Sequence, residues 1–145
     1  MFDGALEARR DLRVCGAVLT ALAEGALWWP SERLLAVADL HFEKGSAFAA
    51  RGIALPPYDT RATIARLENL IARFAPERVI ALGDSFHDRE AEARMDENDA
   101  ARLARLTAHS DWIWIAGNHD PVPPRRFGGH VQEELRVGPD RKSVV

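Results

Sequence analysis

Three short polar runs stand out by residue type: Asp39-Leu40-His41, Gly83-Asp84 and Gly117-Asn118-His119. They offer carboxylate, imidazole and amide oxygen, a mixture that suits octahedral first-row ions such as manganese or iron rather than a thiolate-bound zinc. The chemistry such a set can do is hydrolytic. A pair of divalent ions roughly 3.5–4 Å apart can hold a phosphate, lower the pKa of a shared water and stabilise the leaving oxygen of an in-line displacement. A carboxylate between the ions is required, because two dications at that distance repel strongly. Each run alone is a weak signal. Asp-x-His can be a turn with a solvated carboxylate, Gly-Asp is common turn chemistry, and Gly-Asn-His-Asp can be a tight turn in which Asn tolerates positive φ. The weight lies in the combination: each run directly follows an apolar stretch of strand length, in this order, with a helical pattern or a long connection between.

Those stretches are residues 34–38, 78–82 and 112–116, short apolar runs of the kind expected for strands buried on both faces. Between the first two, Ile64, Leu67, Ile71 and Phe74 recur at helical spacing, with Asp59 or Thr60 as N-cap and Pro76 as the stop. Between the second and third, Ala100, Leu103 and Leu106 form one apolar stripe on a helix over roughly residues 97–108. Strand, helix, strand, helix, strand in one sheet means parallel strands joined by right-handed crossovers. Ligands of such sheets bind beyond the carboxyl ends of the strands, which is where all three polar runs lie. Upstream, residues 12–22 read as one strand with Cys15 as a small apolar residue inside it, forming a hairpin with residues 26–29 across Glu24-Gly25. Residues 121–129 read as an irregular loop.

With 145 residues, 47% of them hydrophobic, the chain can bury the core of one domain. A balance of 19 basic against 22 acidic residues excludes a uniformly basic surface, so contact with nucleic acid must be local or come through bound cations. One cysteine excludes an intrachain disulfide and a cysteine-based zinc cluster, and suits a reducing compartment. No secretory leader pattern and no apolar run near the ~20 residues of a membrane span is present, so a soluble, cytoplasmic protein with no membrane partner is expected. The tryptophans Trp28, Trp29, Trp112 and Trp114 lie in strand-like runs, where packing on a sheet face is the expectation rather than stacking on a base.

In its motifs the chain resembles the calcineurin-like metallophosphoesterases, whose signature is Asp-x-His, then Gly-Asp, then Gly-Asn-His. The resemblance implies an α/β fold, the αββα sandwich of that superfamily, with only its front part in residues 1–139, an incomplete domain built on the strand-helix-strand-helix-strand core. It implies two divalent ions: Asp39 and His41 binding the first, Asp84 bridging both and Asn118 binding the second. His119 would stabilise the transition state or protonate the leaving oxygen.

Within the superfamily, Ala26-Leu27-Trp28-Trp29-Pro30, residues 37–46, Arg51-Gly52 and residues 55–60 are similar to the bacterial ligase-associated DNA damage response endonucleases. These are manganese-dependent phosphodiesterases found alongside a DNA ligase and a helicase. The resemblance implies DNA as the phosphodiester substrate, a role in repair, functional association with ligase and helicase, and Mn2+ as the metal, with iron or another first-row ion also fitting the donors. Lys44, Arg125 and Arg126, close in sequence to the first and third motifs, are candidate phosphate contacts, against surface solvation as the ordinary role of each. Two other readings stand beside this one: a nucleotide or sugar-lipid pyrophosphate hydrolase of the same superfamily, and a non-catalytic fragment unable to hold two metals.

The chain departs from the family pattern in two places. Many members carry, three residues after the bridging Asp, a second Asp that orients the motif-three histidine; here that position is His87, with Asp88 or Asp120 as substitutes and phosphate contact as another role for His87. After His119 the sole histidine is His130, read as a surface residue, and no His-x-His occurs, so only four of the metal ligands implied by the resemblance are found. Residues 133–139 still resemble the family, whereas Asp140-Arg141-Lys142-Ser143-Val144-Val145 matches the translation of a common sequencing adapter. Residues 140–145 are therefore expected to be a non-native tail on a truncated chain, leaving an apolar edge and face uncovered, the metal site open on one side, and solubility and activity low.

Overall fold

The computed structural model describes residues 9–38, 40, 42–43, 60–83, 85–86, 90–116, 122–137 and 143–144. In chain order the described elements are β1 (Arg9–Val14), β2 (Ala17–Leu22), β3 (Ala26–Trp29), β4 (Leu34–Ala38), α1 (Thr60–Phe74), β5 (Arg78–Leu82), α2 (Ala91–Arg94), α3 (Glu97–His109), β6 (Asp111–Ile115), β7 (His130–Gln132), β8 (Arg136–Val137) and β9 (Ser143–Val144). Strands β1 to β7 form one sheet in sequence order, and β8 pairs with β9 in a second. The chain folds as mixed α/β, with the first four strands antiparallel and β4, β5, β6 and β7 parallel.

Central position explains the unbroken apolar runs. Alternate residues of a strand serve opposite faces. Leu35, Val37, Val79, Ala81, Trp112 and Trp114 pack in the helix-side core, while Leu34, Ala36 and Ile80 pack on the other side with Trp29. Helix α1 buries Ile64, Leu67 and Leu70, with Ile71 and Phe74 partly covered. It stops at Ala75, left-handed with φ 47, ahead of Pro76, whose ring cannot continue a helix. The Arg33 guanidinium donates to the Ala75 carbonyl at 2.6 Å, satisfying one of the carbonyls a helix end leaves over. Helix α3 is capped by Asp96, whose carboxylate accepts from the N–H groups of Asn98 and Asp99 at 2.8 and 3.3 Å. Helix α2, in the polar stretch before it, is a single turn that buries only Ala91, too short to show a periodicity.

The expected single strand over residues 12–22 is two strands. Cys15 and Gly16 both have positive φ, 50 and 82, and Val14 pairs with Ala17, so the pair makes the two-residue primed turn that matches hairpin twist. Cys15 is thus exposed at a turn rather than inside a strand. The apolar character of the flanks runs through the turn and hides it. Strand β1 is an edge of the sheet and exposed along its length, its Leu12 and Val14 among the exposed apolar side chains. On the sheet face away from the helices, Val137, 2% exposed, packs with Trp29, Leu34, Ala36 and Ile80, with Leu135 beside it.

The early hairpins are fastened to the end of α1. Trp28 lies 5.1 Å from Phe74 between ring centroids, and the Arg73 guanidinium donates to Glu24 at 2.6 Å. That hydrogen bond holds the Glu24 carboxyl below its ordinary 4.5. The contribution is therefore complete above the ordinary carboxylate value and is lost as pH falls through the lowered folded value. Both side chains are about a quarter exposed, so the pair is worth about 1 kcal/mol at most. Urea denaturation between about pH 3 and pH 6 should show a shallower acid limb in Arg73→Met than in the wild type. An unchanged slope would remove Glu24 from the pH dependence.

Candidate metal centre at the strand ends

Ala38 pairs with Leu82 and Leu82 with Ile115, so β4, β5 and β6 end level on one rim. Beyond the rim, Gly83, left-handed with φ 49, donates its N–H to the Ile115 carbonyl at 2.9 Å, and Ala116 donates to Gln132 at 3.0 Å. The β4–β5 pairing then resumes: Phe42 bridges Phe86 in parallel, and its N–H donates to the Ser85 carbonyl at 2.8 Å. Partners differ by 44 in number at Leu34–Arg78, at Ala38–Leu82 and at Phe42–Phe86. Equal lengths of chain, residues 39–41 and 83–85, therefore join positions that are paired at both ends.

The sequence-predicted metal ligands Asp39, His41, Asp84 and Asn118 lie outside the described residues, as do His119, Lys44 and His87. Their neighbours Ala38, Leu40, Phe42, Gly83, Ser85 and Ala116 lie within them. Among the described residues no group of three or more His, Cys, Asp or Glu side chains is placed to hold a metal ion. The donor set suits an oxygen- and nitrogen-bound divalent ion: carboxylates and an amide oxygen supply hard ligands, and one imidazole adds a borderline one.

Of the basic candidates, Arg125 and Arg126 are both exposed, in a short 3-10 turn over Arg125–Phe127. Arg126 forks onto Glu97 in the first turn of α3, at 2.8 and 3.3 Å. Each holds the other charged: the hydrogen bond from Arg126 lowers the Glu97 carboxyl, and the bond to Glu97 raises the Arg126 guanidinium. His130 is exposed on β7 beside Asp111, 3.8 Å away at the start of β6, the end of that strand remote from the rim. A groove of about 600 Å³ is also remote. It lies between the C-terminal halves of α1 and α3, lined by Ile71, Pro76, Leu106 and His109, with Arg102 paired to Glu68.

An aromatic cluster under the rim escaped the sequence reading. Phe42, Phe86, Trp114 and Phe127 are all 3% exposed or less. Phe86 is the hub, its ring centroid 5.4 Å from Phe42, 5.4 Å from Trp114 and 5.6 Å from Phe127. A signal was available: Leu40 and Phe42 alternate with Asp39 and His41, the period of a continuing strand. The cluster reaches the next segment through Trp114, whose indole N–H donates to the Gly128 carbonyl at 2.9 Å. Gly129 follows with φ +79, and a Cβ there would sit 2.8 Å from the Trp112 carbonyl oxygen and 2.9 Å from the Trp114 indole nitrogen. Gly129→Ala should therefore cost about 1–3 kcal/mol in chemical denaturation, from backbone strain and overpacking together. A loss within error of zero would show that the β6–β7 connection yields freely.

Comparison with known proteins bears on the same rim. The crystal structure of the Pseudomonas putida nuclease MPE is similar to this chain, with 32% sequence identity and a TM-score of 0.67 over 86% of this chain and 59% of that one. This chain thus spans less than two-thirds of that nuclease's length. A search of curated proteins found no match. The family model for calcineurin-like phosphoesterases matches residues 32–142, which take in β4, β5, β6, both crossovers and every segment that leaves the rim. With most of its length matched, and matched across the elements that build the strand-end rim, the chain belongs to the calcineurin-like phosphoesterase family.

Proposed function

We propose that this chain carries the first metal-binding motifs of a cytoplasmic, Mn2+-dependent DNA phosphodiesterase that works in repair alongside a ligase and a helicase. The observation that carries the reading is the level ending of β4, β5 and β6 at Ala38, Leu82 and Ile115, each one to three residues ahead of a predicted ligand. Asp39 and His41 would hold one ion, Asp84 would bridge two and Asn118 would hold the other. The alternation of Asp39 and His41 with two buried core residues, Leu40 and Phe42, is the pattern that keeps ligands out of a core. Bound divalent ions would supply charge to a phosphate and lower the pKa of a water. His119 is assigned the proton for the leaving oxygen, and Lys44, His87 and Arg125 the phosphate oxygens. Arg126 can join them only by leaving Glu97. DNA as substrate is supported by the likeness to the Pseudomonas putida nuclease.

With four ligands among these residues, Mn2+ binding should be weak and turnover slow. The test is a Mn2+ count per chain combined with an activity panel of single-stranded DNA, a chromogenic phosphodiester and a nucleotide pyrophosphate. The expected result is about two Mn2+ at saturation and Mn2+-dependent cleavage of the two phosphodiesters. Preference for the pyrophosphate would move the substrate assignment to that class, and absence of any Mn2+ binding would leave the chain without the proposed site.

A further inference from the structure

Glu43 is a buried acidic residue, 7% exposed, held in the left-handed region at φ 67, a conformation that non-glycine residues rarely keep. Such backbone persists only where the surroundings over-determine it. Here they act on both sides of the residue. Its N–H donates to the hydroxyl of Thr60, the first residue of α1, at 2.9 Å. Its carbonyl accepts from the guanidinium of Arg94, the last residue of α2, at 3.1 Å. One residue earlier, Phe42 is tied to Ser85 and Phe86 by the backbone bridge and ring contact beneath the rim. The turn that leaves the first motif is thus gripped by the helix that enters the first crossover and by the helix that follows the second motif.

We propose that Thr60 and Arg94 are positioning residues for the first ligand pair, fixing the Glu43 turn and so the chain two residues upstream at His41. This inference rests on the metal-site reading above. The reason lies in tolerance: metal sites need ligand distances within about 0.2 Å. The hydrogen bonds to Thr60 and from Arg94 tie the turn at Glu43 to two helices, so loss of that acceptor or that donor is expected to shift the exit of β4. Groups that orient ligands from behind typically change metal affinity 10–100-fold when removed. Thr60→Val keeps the side-chain shape and removes the acceptor for the Glu43 N–H, Thr60→Ser restores it, and Arg94→Met removes the donor while keeping an apolar stem.

The experiment pairs two readouts on the full chain. The first is amide hydrogen exchange at Phe42 and Glu43 in metal-free protein. The second is Mn2+ affinity, from free-ion titration by electron paramagnetic resonance. Thr60→Val and Arg94→Met should speed exchange at these two amides at least about tenfold with the α1 interior still protected, and weaken Mn2+ binding about 10–100-fold, while Thr60→Ser behaves as wild type. Unchanged exchange at Phe42 and Glu43, or faster exchange with unchanged Mn2+ affinity, would overturn the positioning role. Faster local exchange in a chain whose wild type binds no Mn2+ would instead overturn the metal-site reading, and with it the positioning role.

Discussion

Asp84→Asn is expected to reduce bound Mn2+ from about two ions per chain to at most one, and His119→Ala to leave the count unchanged while lowering the phosphodiesterase rate about 10²- to 10⁴-fold. The contrast follows from the roles proposed for the two residues. Two dications roughly 4 Å apart repel by on the order of 16 kcal/mol even at an effective dielectric near 20, four times the unit-charge figure, so the group between them must bring negative charge. An amide of the same shape brings none. A histidine that only delivers a proton to the leaving oxygen affects the barrier and not the occupancy. Equilibrium dialysis with Mn2+, followed by rates on a chromogenic phosphodiester at saturating metal, separates the two effects. Two bound ions and full activity in Asp84→Asn would remove the bridging assignment, and lost metal in His119→Ala would make that residue a ligand.

The elements beneath that proposed site were readable because burial on both faces leaves a signature. Residues 34–38 and 78–82 coincide with β4 and β5, and β6 starts one residue before the expected 112 because Asp111 pairs with Arg78 at the edge of the core. The two long helices showed in their spacing, although the stripe of α1 passes through Leu70 as well as Ile71. What stayed hidden has local causes. The Cys15-Gly16 turn lacks the Asn-Gly or Asp-Gly that announces a primed hairpin, and its apolar flanks mimic one long strand. Helix α2 and strands β7 to β9 are four residues or fewer, shorter than any period can register. The proposed ligand motifs show in the sequence as a pattern of residue types after strands, while the clamp on Glu43 does not. It joins residues 17 and 51 positions apart through a threonine and an arginine that have no distinguishing sequence context.

Phe86→Ala should be the most damaging single change to the fold, at about 3–5 kcal/mol, a large part of the 5–15 kcal/mol that holds a domain of this kind together. Phe86 is 3% exposed and its ring meets three others, so truncation removes a large apolar surface and opens a cavity walled by rigid rings that cannot collapse into it. It also occupies the one described position past the rim where the chains leaving β4 and β5 still pair. Phe42 loses its ring partner, and Trp114, which fastens the Gly128 segment, loses one of its walls. Phe86→Leu keeps most of the apolar volume and forfeits mainly the ring–ring terms, each worth about 0.5–1.5 kcal/mol, so it should fall between wild type and Phe86→Ala. Urea denaturation of the three proteins orders them directly. A cost below about 1 kcal/mol for Phe86→Ala would mean the cluster relaxes around the void, and that the rim does not depend on it.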